Sequence, residues 1–399
     1  MDKKTLREES PWIACVSKAN YRNFKKVFQE SEVYRKNKKI VIFGAGIMGL
    51  QFSYFLREFG IDELLFCDND KEKNGREIGG IKVILPSELE NKKDEYFIFL
   101  VMECYEACAE QLINMGYLEG TMWQKVSNFS EQKLYDSFLK DENAQVLILG
   151  DCAVTTVSLF EDDKESLEEL LYQSNRTKIM ALNSMYMRAY YNLLLYNMDK
   201  MRELNTVIVL LDLGIFQDKY PLLQKNQHAA IMEQIKKTSG IIDDEAELFI
   251  EAAKIRETGG QIFEHCSPNR KENISGERLE QERKIHMRLN NLYRLKEDSE
   301  SIDYLDMFGE ICTKKGLHMI GVILPVNYEQ GVKYFGNKFY ELYEAIRDVI
   351  ISHIEMSHGH VIDASYLLKE SEFISVRSSN EGMNSLGRRK LAELIENNL

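Results

Sequence analysis

Short, unbroken apolar blocks recur along the chain at Ile40-Val41-Ile42-Phe43, Leu64-Leu65-Phe66-Cys67, Tyr96–Met102, Val146-Leu147-Ile148-Leu149, Thr206–Leu211, Met319–Pro325 and Val361-Ile362. Apolar blocks without polar alternation suit parallel strands that are covered on both faces. Between them, apolar residues return at helical spacing. Over residues 12–33, Phe24, Val27 and Phe28 share one side while Lys25, Lys26 and Glu30 share the other. Residues 50–59 repeat the pattern and stop at Gly60, a natural C-cap, and residues 104–115 and 390–395 form two further helices. Strands alternating with helices predict an α/β chain. The expected layout is an N-terminal helix over 1–35, a Rossmann-like parallel sheet over 36–125 and a second α/β domain over 142–399, interrupted by a largely helical insertion at about 217–308. Within the insertion, Arg270–Arg294 is densely charged and reads as a solvated helix, with a lid or partner surface as the alternative.

The first strand runs straight into Gly44-Ala45-Gly46-Ile47-Met48-Gly49. In a strand–turn–helix corner, Gly44 permits the tight turn, Gly46 lets a diphosphate approach the main chain and Gly49 lets the helix pack on the strand. The helix N-terminus offers free amides to the anion. Asp68 ends the second strand, nineteen residues after Gly49, where a carboxylate can accept hydrogen bonds from a ribose. Gly44, Gly46, Gly49 and Asp68 are therefore the candidate cofactor-binding residues. The alternative is that the glycines simply make a compact corner.

Downstream, Asn69-Asp70-Lys71, Asn74-Gly75, Ile78-Gly79-Gly80-Ile81-Lys82-Val83 and Pro86-Ser87-Glu88-Leu89 follow in order. With the glycine turn they resemble the small half-Rossmann domains of bacterial surface-polysaccharide and sugar-modification proteins, including the N-terminal domains of sugar O-acyltransferases. That resemblance implies a nucleotide-sugar ligand rather than NAD(P). The expected unit closes near Gly120 without a second mononucleotide half.

The second domain opens on a strand ending in Gly150-Asp151-Cys152. A strand ending in Gly-Asp-Ser is the nucleophile block of SGNH (GDSL-type) hydrolases and acyltransferases, which this segment resembles with cysteine at the nucleophile position. Together with the apolar blocks at 206–211, 319–325 and 361–362, the resemblance implies a flavodoxin-like, three-layer α/β/α domain. Cysteine is chemically able, since its thiolate is the stronger nucleophile and a helix N-terminus lowers its pKa. A buried, inert cysteine is the other reading. Pro325-Val326-Asn327 followed by Tyr334 resembles the D-alanyl transfer proteins of teichoic-acid synthesis, and Glu381–Arg388 resembles the closing segment of the same fold. A Gly-Asn-Cys turn in capsule-polysaccharide acetyltransferases is also similar to residues 150–152. The resemblance implies Cys152 as nucleophile and places Asp151, Gly214, Asn327 and Asn384 on the substrate side. The closing aspartate falls on Ser379 and the closing histidine on Gly382, and glycine cannot act as a base. Glu381, next door, is the candidate surrogate.

Charge and cysteine usage narrow the function. A net charge of −13 over 399 residues disfavours nucleic acid and anionic lipid as general partners. No apolar run approaches the roughly 18 residues of a membrane span, and residues 1–10 lack the apolar core of a signal peptide. Seven scattered cysteines without a CxxC pair fit a reducing, cytoplasmic setting. His353, His358 and His360 cluster, but read as helix end and surface loop, so no metal site is expected. The aromatic stretch Tyr186–Tyr196 reads as helix core. Three functions stay open. One is acyl transfer or ester hydrolysis on a sugar or glycan precursor, needing no cofactor. The second is a catalytically dead nucleotide-sugar-binding scaffold in glycan assembly. The third is an NAD(P)-dependent oxidoreductase. A small glycan precursor is the expected ligand, and a second copy of the chain or another glycan-pathway protein is the expected partner.

Overall fold

The computed structural model describes residues 15–102, 105–126, 143–171, 176–181, 185–216, 280, 284, 287–288, 291–296, 298–374 and 382–399. The chain forms two compact units. One contains residues 1–129 together with Val157–Lys164, and the other contains residues 130–156 and 165–399.

In the first unit, β1 (Cys15–Ser17) precedes α1 (Lys18–Glu30) and α2 (Glu32–Arg35). The expected helix from residue 12 therefore begins only at Lys18. Ser17 is extended and its hydroxyl caps the Asn20 N–H, which fixes the start. Then come β2 (Lys39–Phe43), α3 (Ile47–Glu58), β3 (Leu64–Cys67), β4 (Glu77–Ile78), β5 (Ile81–Ile84), β6 (Tyr96–Leu100), α4 (Glu106–Asn114) and β7 (Trp123–Lys125). The sheet order is β4-β5-β3-β2-β6-β7, parallel except for the β4–β5 hairpin. Strands β5, β3, β2, β6 and β7 thus follow the 3-2-1-4-5 path of a Rossmann sheet. Past β2 the sheet continues by the strand expected at 96–102, here β6, and by one strand that was not expected, β7. β7 escapes a search for apolar blocks because it has three residues, of which only Trp123 is buried. One face packs on aromatic rings from α1 and α3, including Phe24 against Phe52 at 5.1 Å and Phe52 against Phe99 at 4.9 Å.

The second unit begins with β8 (Val146–Gly150) and α5 (Cys152–Thr155). β9 (Thr156–Ser158) then pairs with β1, and Val157 within it and Leu159 just after it join the apolar core of the first unit. The second unit resumes with α6 (Leu167–Leu171), β10 (Thr177–Ala181), α7 (Met187–Asn197), β11 (Thr206–Leu211), α8 (Glu300–Lys315), β12 (His318–Ile323), α9 (Tyr328–Phe335), α10 (Lys338–Met356), β13 (His360–Asp363) and α11 (Ser385–Glu396). The sheet order is β10-β8-β11-β12-β13, all parallel. In chain order that is 2-1-3-4-5, the flavodoxin-like path. The central strands β11 and β12 are buried at every position after the first, as a sheet covered by helices on both faces requires. Most of the expected insertion, including Arg270–Arg294 apart from a few positions, lies outside the described residues; its last part is the start of α8.

Candidate functional site

At the carboxyl edge of the second sheet, β8 leads into Asp151-Cys152 and β11 into Asp212-Leu213-Gly214. These strands are neighbours at the point where the strand order reverses, the crevice in which open α/β sheets bind ligands. Asp151 is 3% exposed, and its Oδ1 accepts the Ala153 N–H at 2.9 Å. Cys152 is the first residue of α5 and is half-buried. The helix that was expected to lower the thiol pKa lasts a single turn, because Thr156 becomes extended and the chain leaves as β9. One turn of aligned peptides supplies little of the dipole of a full helix.

Asp212 Oδ1 accepts the Gly214 N–H at 2.7 Å, so the amide expected to face substrate is taken up within its own turn. Asn327, with 0% exposure, caps α9 by accepting the Gln330 N–H at 3.1 Å, while its Nδ2 has no hydrogen-bond partner among the described residues. Asn384 caps α11 by accepting the Gly387 N–H at 3.0 Å and donates to the Ser371 carbonyl at 2.7 Å. Both ends of Asn384 therefore serve the fold. Glu381 and Ser379 lie outside the described residues, and Gly382, on which the resemblance placed the closing histidine, has φ 79°.

One side chain at this edge was not singled out from the sequence. Tyr190, on α7, is 0% exposed, and its hydroxyl has no hydrogen-bond partner among the described residues. It lies within electrostatic reach of Asp151, Cys152 and Asp212. Burial, and then those three groups, push the phenol well above its usual value. It is a protonated donor at any working pH. Farther along the edge, Tyr343 donates to Ser365 Oγ at 3.2 Å, and Ser365 donates its N–H to Asp363 at 3.0 Å.

In the first unit the three glycines divide their tasks. Gly44 has φ 118°, and a Cβ there would stand 2.3 Å from the Val101 carbonyl oxygen. A Cβ on Gly49 would stand 1.9 Å from the Gly44 carbonyl oxygen. A Cβ on Gly46 would meet nothing within 4 Å, and Gly46 has φ −103°, open to any residue. Two glycines are thus demanded by the corner itself, and the third is not. Asp68 is close to the turn, but its carboxylate is already engaged. Oδ2 accepts the Ala45 N–H at 3.0 Å and Lys73 Nζ at 2.9 Å, and Oδ1 accepts the Asp70 N–H at 2.9 Å.

A family model described as C2185-like, N-terminal, matches residues 36–122, which lie within the first unit. No curated protein matches the chain. Among solved structures, a Bacteroides fragilis protein assigned as an acylhydrolase is similar over 67% of this chain and 94% of its own, with 8% identity and a TM-score of 0.32. A GDSL-like lipase from Bacteroides thetaiotaomicron is similar over 67% of this chain and 96% of its own, with 8% identity and a TM-score of 0.31. At those scores neither likeness decides anything, and the architecture rests on strand order.

Among the described residues, no group of three or more His, Cys, Asp or Glu is arranged to hold a metal. His353 Nδ1 is hydrogen-bonded to Asp306 at 2.7 Å, and His358 sits at φ 59°. No described helix is long and apolar enough to cross a membrane. Tyr190 and Asp212 escaped the sequence reading for one reason. An aromatic helix and a strand-end aspartate are ordinary core and turn residues until their partners are known.

Proposed function

We propose that the second unit carries out acyl transfer or ester hydrolysis on a sugar or glycan precursor, with Cys152 as nucleophile. The observation that carries this reading is the position of Cys152. It is the half-buried first residue of α5, two positions past the first strand of the second unit, at the reversal point of a 2-1-3-4-5 parallel sheet. In the reaction, the Cys152 thiol loses its proton to a base and the sulfur attacks the ester carbonyl carbon. The carbonyl electron pair moves to oxygen, then returns as the C–O bond breaks and the alcohol leaves with a proton. Water or an acceptor hydroxyl then attacks the thioester and restores the thiol. Glu381 is the surrogate base in this reading, in place of the histidine replaced by Gly382. The setting is the reducing cytoplasm, where the thiol stays free.

The test is acylation by p-nitrophenyl acetate, read as release of nitrophenolate and as an acetyl mass on the peptide containing Cys152. Cys152→Ala abolishes both, and Glu381→Gln slows acylation at neutral pH. A wild-type chain that is never acylated at Cys152 ends this reading.

A second reading, a binding protein without turnover, is favoured by Gly382 and by the one-turn α5, since both remove activation from the thiol. In either reading the first unit holds a nucleotide-sugar at Gly44–Gly49, with its diphosphate over Gly46. The open space above Gly46 supports that placement. With Asp68 engaged by Ala45, Asp70 and Lys73, its role is to brace the glycine turn rather than to take up a ribose directly.

A further inference from the structure

The turn after β8 and the turn after β11 each satisfy their own polar groups. Asp151 takes the Ala153 N–H, and Asp212 takes the Gly214 N–H. The hydroxyl of Tyr190 is different: it is fully buried, it lies within electrostatic reach of Asp151, Cys152 and Asp212, and no described residue accepts its hydrogen bond. A buried, unsatisfied hydroxyl destabilises a fold, because its desolvation is not repaid. Phenylalanine would fill the same space without that cost. The hydroxyl therefore has a role that the free chain does not display, and a ligand oxygen is the acceptor that would complete it.

We propose that the Tyr190 hydroxyl is the hydrogen-bond donor to the carbonyl oxygen of the acyl substrate at the Cys152 site. When sulfur attacks the carbonyl carbon, negative charge collects on that oxygen, and a donor fixed in a desolvated site is strongest at that moment. Tyr190 thus supplies a donor at a strand end where the Gly214 amide is already engaged by Asp212. The phenol keeps its proton throughout. It donates a hydrogen bond and transfers nothing, so the balance of the acylation step is unchanged. The class of ligand this selects is a neutral ester, amide or thioester whose carbonyl enters the crevice between β8 and β11. A carboxylate is disfavoured there, because Asp151 and Asp212 both lie within electrostatic reach of the Tyr190 hydroxyl.

The role presupposes Cys152 as the acylated thiol, and the experiment separates the two claims. Wild type, Cys152→Ala and Tyr190→Phe are compared by p-nitrophenyl acetate kinetics, by the mass of the Cys152 peptide and by thermal melting. Tyr190→Phe is expected to lower kcat about 10²-fold with little change in KM, while its Tm stays equal to wild type or rises. Losing rate while gaining stability is a signature that a merely structural tyrosine would not give. Acylation of Tyr190→Phe within about threefold of wild type overturns the Tyr190 role and leaves Cys152 as nucleophile. A Tm several degrees lower in Tyr190→Phe also overturns it, since the hydroxyl then has a structural partner. Absence of acylation at Cys152 in wild type removes the parent reading, and the Tyr190 role with it.

Discussion

Gly46 and Gly49 are three residues apart in one turn, and the structure assigns their glycine character to opposite causes. At Gly49 an added methyl would fall 1.9 Å from the Gly44 carbonyl oxygen, where real Cβ contacts essentially never come under 3.0 Å. Helix and strand must separate by about 1 Å at that point, and the obstructing atom is backbone rather than a yielding side chain. Overpacking of this kind costs about 1–3 kcal/mol, and the better helix propensity of alanine returns at most about 1 kcal/mol. A net loss of about 2 kcal/mol lowers Tm by roughly 5 °C for a unit of this size. At Gly46 the methyl meets nothing, and φ −103° suits alanine. A weaker cap costs about 0.5 kcal/mol, and a stiffer unfolded chain returns about as much. Gly46→Ala should melt within about 2 °C of wild type. The assay is thermal melting of each chain with and without a UDP-sugar. Wild type gains about 2.7 kcal/mol at a hundredfold excess over Kd, Gly46→Ala loses most of that gain, and Gly49→Ala melts early without ligand. If Gly46→Ala is itself unstable, or keeps the full ligand shift, the division of labour is wrong. If wild type shows no shift with any nucleotide-sugar, the ligand is wrong.

Lys164 and Glu58 pair at 2.9 Å, with side chains only 11% and 18% exposed, and both belong to the first unit. Lys164→Met should destabilise that unit by about 2–3 kcal/mol in urea denaturation, because it removes the ion pair with Glu58 and the hydrogen bonds that Nζ donates to the Leu159 and Glu161 carbonyls. Glu372 is buried, which by itself raises its pKa, but the hydrogen bond from Lys390 and the Lys369 N–H outweigh burial and hold the carboxyl below its usual 4.5. A depressed pKa adds stability above the unfolded value that is lost as pH falls through the folded one. Glu372→Gln should therefore be less stable than wild type at pH 7, with the gap closing below about pH 4, as read by melts across pH. Burial pushes the Cys312 thiol up to about 12 and raises Cys67 further. Iodoacetamide at pH 8 should label the half-buried Cys15 and Cys152 and spare Cys67 and Cys312 until the chain is unfolded, with peptide masses as the readout.

Much of the architecture was legible in the apolar blocks. The runs at 40–43, 206–211 and 319–323 are long, β-rich and free of polar alternation, and each became a buried parallel strand. Elements that depend on few residues were not legible. The three-residue β7 carries only one buried side chain, and the short α5 ends where Thr156 becomes extended at the start of β9, a strand of three residues. The glycine turn was legible as a corner, but its three glycines look alike in sequence.

Local chemistry is written in the chain itself. Gly44–Gly49 between a strand and a helix, Asp151-Cys152 after a strand, and glycine at position 382 all follow from residue type and spacing. Partnership is decided only in three dimensions, because a hydrogen bond depends on what else arrives at the same place. Folding engages Asp68 with the glycine turn, Asn384 with a helix cap and Gly214 with Asp212. It leaves the Tyr190 hydroxyl buried within electrostatic reach of Cys152 with no acceptor among the described residues.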